Sequence, residues 1–433
     1  MKPARPTGTQ QQVDVCIGNA GTPVGQLHYA RQGPRERSAF AYAPGWLADP
    51  DRFEISPDLP LQAGHVIRRP GSSADSVFPF AIADTAPDAW GRRVIARAHA
   101  KRRRGDPALP ALSELDYLAA VDDFSRVGAL RLRSPSGGFL QTVEEGRRAT
   151  PPLVDLQRLF EASRAVEQGS ETAEDLRYLQ GKGTSLGGMR PKCTVLDRDG
   201  RLAIGKFTSI ADARSITRGE VLALRLARRA GIDAAQARIE LVAGTPVAVI
   251  RRFDRNATDG RIPYLSAASM LQASRDDTHS YAEIADAIRA RGIEPTADVR
   301  ELWRRLVFNL LITNPDDHLQ NLGFLHAGGG FWRLAPAFDL NPMPDKDRES
   351  KTWLTPESGP ITSLQMLLDE AAYFSLDAAQ ALHVLAEVLA GVAAWWQEAR
   401  SPEVGLSPAE LPDFANAFEH EAVAAARQAL GMP

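Results

Sequence analysis

A chain of 433 residues exceeds what one ordinary hydrophobic core supports, so two or three packed lobes are expected. With 44% hydrophobic and 24% charged residues it reads as a globular protein, which excludes a long disordered or low-complexity chain. The net charge of −3 argues against a surface that binds polyanions everywhere, and the two isolated cysteines, Cys16 and Cys193, argue against a disulfide framework or a Cys-based zinc site.

The N-terminal stretch lacks the apolar core of a secretory signal, and no run is apolar enough to suggest a membrane span, so a cytoplasmic protein without a membrane partner is expected. Over residues 1–145, short apolar runs (Val13–Gly18, Val24–Ala30, Phe40–Leu47) alternate with Gly, Pro and Asp, which predicts small antiparallel sheets. Helices are expected over Asp88–Lys101 and Ser113–Val121, then a strand at Val127–Arg133. The run from Arg92 through Lys101 to Arg104 is open to two readings, a solvated helix end or a patch for nucleic acid or an acidic partner. A linker is expected at Ser134–Pro152.

Residues 146–255 read as a small β-rich lobe. A helix (Leu153–Glu167) leads into the Gly-rich 181–188, two strands around the turn Leu196–Arg201, a helix ending at Gly231, and a hairpin over Ala237–Phe253. Residues 256–433 are helix-rich, with helices at Tyr281–Arg291 and Asp298–Thr313 and an apolar helix around Ala378–Trp396 that reads as core. One irregular stretch, Asn314–Pro344, interrupts them. The expected fold class is α+β: a bilobal, protein-kinase-like fold (a small β-rich lobe and a larger α-helical one) with an extra N-terminal α/β module.

The chemistry concentrates in that irregular stretch. Phosphoryl transfer needs a carboxylate near the attacking hydroxyl and an oxygen ligand for Mg²⁺ on one rigid loop, and protein kinases meet this with Asp-x-x-x-x-Asn. In NPDDHLQN (314–321), Asp316 and Asn321 have that spacing, whereas Asp317 is one residue short. Spacing therefore selects Asp316 as the base. A helix-capping turn would use the same residue types, so the loop alone leaves the question open. Asp339, eighteen residues after Asn321 and across one hairpin, supplies the second metal ligand; Mg²⁺ commonly takes one or two carboxylates plus substrate phosphates. Lys206, in the strand Leu202–Phe207, is placed to neutralise the phosphates of ATP, and Glu220 on the next helix to pair with it.

With these residues placed, the chain resembles the HipA family of toxin kinases along nearly its whole length. The phosphate loop Ser185–Lys192, Lys206, the segment Arg251–Arg255, NPDDHLQN and the run Ala335–Pro342 match in order, as do Ile55–Leu61, Phe78–Ile95 and Tyr117–Arg133 in the N-terminal half. The resemblance implies transfer of the ATP γ-phosphoryl group to Ser or Thr of a protein substrate, an aminoacyl-tRNA synthetase being the best-known type of target. It also implies a HipB-like helix-turn-helix antitoxin, and through it operator DNA. Ser185, Leu186, Gly187 and Gly188 would cradle the phosphates, with Ser185 an autophosphorylation site. Arg251, Arg252 and Phe253 would form the adenine-side hinge, and His318 would support the catalytic loop. Two further readings are a small-molecule phosphotransferase on a related scaffold and a non-catalytic module that works with an antitoxin on DNA.

Overall fold

The computed structural model of the chain describes residues 9–72, 74–142, 150–179, 189–274, 276–346 and 349–432. Its backbone divides into two compact units, one of residues 1–203 with 254–276 and the other of 204–253 with 277–433.

The first unit is built on a five-stranded antiparallel sheet: β1 (Thr9–Ile17), β2 (Thr22–Gln32), β3 (Arg35–Tyr42), β4 (His65–Arg68) and β5 (Leu130–Arg133), in spatial order β4-β3-β2-β1-β5. Period-2 alternation decides which face is core. Val13 pairs with Leu27, Leu27 with Phe40 and Val15 with Leu132, and all of these side chains are buried. Each contributes roughly 1.5–3 kcal/mol of burial. A bulge between Val15 and Cys16 turns two successive residues inward, which is why Cys16 is fully buried. The run Phe40–Leu47, read as a strand, leaves the sheet at Tyr42 and turns helical at Pro44–Ala48, where Pro44 takes a first-turn position.

Helix α1 (Ala89–Gly105) begins where Asp88 accepts the Gly91 amide, and α2 (Glu114–Ala119) where Ser113 and Asp116 close a capping box. The basic run thus lies on α1, and much of it is consumed internally. Arg92 pairs with Glu114, Arg97 with Glu171 at 2.8 Å, Arg93 donates to the Val166 carbonyl, and Lys101 to that of Glu171. Arg102, Arg103 and Arg104 are exposed in the last turn, where the negative end of the helix dipole favours them.

Arg126 is fully buried and donates to the carbonyls of Thr85, Leu118 and Val121, closing the turn after α2. Residues 254–276 are tied into the unit by Asp84, which accepts from the Ser266 amide (2.7 Å) and hydroxyl (2.9 Å), and by Asp254, which accepts from the Gly128 amide at 2.8 Å. Gly128 has φ +69°, and a Cβ there would stand 3.1 Å from the Tyr264 nitrogen, so both the backbone and the space call for glycine. Helix α3 (Leu156–Gln168) falls where the periodicity places it. The helix α4 (Ala173–Leu179), packed on α1 and α3, is not among those expected. Strand β6 (Lys192–Leu196) completes the unit.

In the second unit, β7 (Leu202–Phe207), β8 (Ala237–Val242) and β9 (Thr245–Arg251) run in the order β7-β9-β8, and the apolar helix α5 (Ile216–Arg229) covers β8 and β9. The β8–β9 turn uses Ala243 (φ +48°) and Gly244 (φ +81°), both left-handed as a two-residue primed turn requires. Helices α6 (Tyr281–Arg291) and α7 (Pro295–Leu311) pack together, and α7 starts three residues before the expected Asp298 because Pro295 suits a first-turn position. The hairpin of β10 (Gly323–Gly328) and β11 (Phe331–Leu334) follows. The stretch Ala378–Ala399 is long and apolar enough to cross a membrane by length and composition. Here its helix α8 (Ala378–Ala393) buries Ala381, Leu385, Val388, Leu389 and Val392 and packs on α5 and α7, as a core helix does.

Candidate active site

Lys206 lies on β7, a strand buried along its whole length. Its ammonium stands 2.5 Å from Glu220 Oε1, on α5, and 2.7 Å from Asp339 Oδ1. All three side chains are at least four-fifths buried. Burial alone would lower the Lys206 pKa, but the attraction of Asp339 and Glu220 outweighs it and raises the value. One cation thus stands between two buried carboxylates, which hold its charge in place.

The position of Asp339 is fixed from several sides. Arg305 on α7 donates to the carbonyls of Ala335 (2.9 Å) and Asp233 (3.3 Å), and the Ala337 amide donates to Asp233 O at 2.7 Å. The rings of Phe338 and Phe253 meet at 5.5 Å. Asp339 itself has φ +55°, a left-handed conformation uncommon outside glycine, and Asn341 Nδ2 braces it by donating to its carbonyl (3.1 Å) and carboxylate (3.3 Å). Thr313, two residues past the end of α7, is left-handed too at φ +50°, an outlier for a β-branched side chain. Its carbonyl accepts the Met343 amide, and Asn314 accepts the Asn341 amide, so the two strained segments brace each other.

Between them lies the loop 314–321, where the two adjacent aspartates have different environments. Asp317 is buried; its carboxylate accepts from Tyr281 Oη at 2.7 Å and from the Lys351 amide at 2.7 Å, and its carbonyl accepts from Thr352 Oγ1 at 2.7 Å. Asp316 is 28% exposed and carries an ion pair with Lys351. Asn321 donates its Nδ2 to the Asp316 carbonyl at 2.8 Å, which leaves its amide oxygen available. His318 Nε2 lies 3.8 Å from Asp316 Oδ1, and burial lowers the His318 pKa. Asp316, Asp317, His318, Asn321 and Asp339 all line one pocket with Asn309 and Asn314.

Burial raises the Asp317 pKa from 3.8 to about 6, so between those values the folded chain holds a proton that the unfolded chain does not. The stability carried by that proton is complete below the lower value and lost as pH rises through the upper one. Wild type should therefore lose up to about 3 kcal/mol relative to Asp317→Asn between acidic and neutral pH. Denaturant unfolding of both proteins at the two ends of that window measures this; a stability difference that does not change with pH would refute it.

Of the other residues singled out from sequence, Arg251 ends β9, where its amide donates to Gln236 O at 2.8 Å, and Arg252 is buried. Phe253 reaches the site through its contact with Phe338. Ser185, Leu186, Gly187 and Gly188 lie outside the described residues. Lys192, at the end of that loop, is buried in the first unit with its ammonium 3.2 Å from Asp88 Oδ2. Tyr281, Asn341, Lys351 and Thr352 were not anticipated. Asn341, two residues past Asp339, is the only one with a sequence cue.

Among the described residues no three His, Cys, Asp or Glu side chains converge on a point. Mg²⁺ does not require this, since phosphate oxygens and water complete its shell. The carboxylate of Asp339 and the free amide oxygen of Asn321 are hard donors of the right kind for a divalent cation.

Residues 13–132 match the model of the HipA N-terminal domain and residues 184–396 that of the HipA-like C-terminal domain. The chain belongs to the HipA family. It is 28% identical over 342 residues to a Sinorhizobium fredii protein named "Putative kinase Y4mE", covering 74% of this chain and 75% of that one. A second protein of that organism, "Putative kinase Y4dM", is 31% identical over 138 residues, 29% of this chain and 34% of its own. This HipA-family chain also superposes on a chain of the solved complex of Shewanella oneidensis HipA and HipB with operator DNA. The TM-score is 0.66 at 16% identity, covering 97% of this chain and 98% of the other. At that identity the likeness speaks for the fold, and the fold is the expected one, kinase-like with an additional N-terminal module.

Proposed function

We propose that this HipA-family chain is a kinase that transfers the γ-phosphoryl group of ATP to a Ser or Thr hydroxyl of a protein. The observation that carries the reading is the convergence of Lys206 and Glu220 on Asp339, which lines one pocket with Asp316 and Asn321. Lys206, held by Glu220, is the cation for the nucleotide phosphates, and Asp339 and Asn321 are the residues that would hold Mg²⁺. When bound, Mg²⁺ neutralises charge on the phosphates and orients them. Asp316 accepts the proton of the attacking hydroxyl as its oxygen forms the new bond to the γ-phosphorus, and the bond to the bridging oxygen of ADP breaks. Asp317 and His318 hold the loop, Phe253 with Arg251 and Arg252 forms the adenine side, and Ser185–Gly188 forms the phosphate loop with Ser185 as an autophosphorylation site.

Membership of the family and the likeness to a chain from a HipA–HipB–operator complex support a HipB-like antitoxin as partner, with operator DNA reached through it. Two free, buried cysteines fit a reducing, cytoplasmic setting. By function the chain divides into an N-terminal module (1–145), a phosphate-binding part (146–255) and a helical part carrying the catalytic and metal loops (256–433).

The test is incubation of the purified protein with γ-labelled ATP and a cell extract, with and without Mg²⁺. Label is expected in protein, dependent on Mg²⁺ and recovered as phosphoserine or phosphothreonine. Label confined to a small metabolite sinks the protein-kinase reading, and failure to bind or turn over ATP sinks kinase activity altogether.

A further inference from the structure

The loop that carries the candidate base contains no lysine or arginine, since 314–321 reads NPDDHLQN. The cation beside the base comes instead from 35 residues further along the chain: Lys351 Nζ pairs with Asp316 Oδ1. The placement of this lysine is built into the backbone. Its amide donates to the buried Asp317 carboxylate at 2.7 Å, and the hydroxyl of the next residue, Thr352, donates to the Asp317 carbonyl at 2.7 Å. On either side, Ser350 Oγ donates to the Thr352 carbonyl and accepts the Ile361 amide, and the Trp353 amide donates to His279 O. The main chain at Lys351 is therefore anchored while its side chain, 57% exposed, extends over the Asp316 carboxylate. An ordinary surface pair has no such anchorage and is held loosely by two flexible side chains.

Charge gives the pair a task. Lys206 is already engaged by Glu220 and Asp339. Under the kinase reading the Asp316 carboxylate must come close to the incoming phosphoryl group, and like charges repel strongly when water is excluded. We propose that Lys351 is a positioning residue for phosphoryl transfer, fixing the Asp316 carboxylate toward the acceptor hydroxyl and screening it from the phosphoryl charge. The proposal rests on the kinase reading above. Asp317, adjacent to the base in sequence, then serves the reaction indirectly, by pinning the segment that delivers Lys351.

The experiment compares wild type, Lys351→Met and Lys351→Arg in transfer kinetics, ATP affinity and thermal melting. Lys351→Met should lower kcat by about 30- to 100-fold, with KM for ATP within roughly twofold of wild type and an unchanged Tm, because the side chain is exposed and acts at the acceptor end. Lys351→Arg should recover most of kcat, since it keeps the charge. Wild-type kcat in Lys351→Met overturns the proposal and leaves the kinase reading standing. A kcat loss that arginine does not rescue, or one that comes with a lowered Tm, overturns it in favour of a structural role. A wild-type protein that transfers no phosphoryl group overturns the kinase reading and this proposal together.

Discussion

Asp316→Ala should lower kcat by a factor of about 10² to 10⁴, the range for removing a general base, while ATP affinity and thermal stability stay near wild type. The separation is expected because the Asp316 side chain is only part-buried, and its structural link to Asn321 runs through its backbone carbonyl, which the substitution leaves in place. Asp317→Ala should behave differently: it removes the acceptor for Tyr281 Oη and the Lys351 amide, so the leading symptom is a lowered Tm. Single-turnover transfer rates and melting curves for the two variants decide the matter. A folded, inactive Asp317→Ala beside an active Asp316→Ala would reverse the roles assigned to the two residues.

Asp339→Asn is expected to have an effect as large, with kcat/KM falling by about 10³, or roughly 4 kcal/mol of transition-state stabilisation. Asparagine is the informative replacement because it tolerates the left-handed φ of +55° at this position, whereas alanine would add backbone strain to the loss of charge. Removing the carboxylate takes away the anionic metal ligand and one of the two partners of Lys206, but Glu220 still holds the lysine. The Mg²⁺ concentration for half-maximal rate should rise along with the loss of rate. A Mg²⁺ titration that superposes on wild type would show that Asp339 does not hold the metal.

The fold was legible wherever a period or a stop signal was strong. The strands at Val13 and Val24, the helices capped at Asp88 and Ser113, and the hairpin turning on Ala243–Gly244 all announce themselves locally. The helix Ala173–Leu179 did not, because it is short and its sequence, AEDLRYL, buries only Leu176 and Leu179. In the candidate site, spacing singles out Asp316, Asn321 and Asp339, and the folded chain brings the three to one pocket. The environment of Asp317 had no such signature. Its partners Tyr281 and Lys351 lie 36 and 34 residues away on either side, and only the folded chain brings two such distant segments to one carboxylate. Lys351, inside the run ESKTW, looks like any solvated lysine.

The octapeptide NPDDHLQN is therefore not a portable unit. Its geometry is imposed by Tyr281 from one helix, by Thr352 and Lys351 from a distant segment, and by Asn341, whose amide meets Asn314 from beyond Asp339. A designer who transplanted residues 314–321 into another scaffold would carry over the functional groups and lose the clamp that aims them. The smallest graft able to keep Asp316, Asn321 and Asp339 in register would have to include all of these supports.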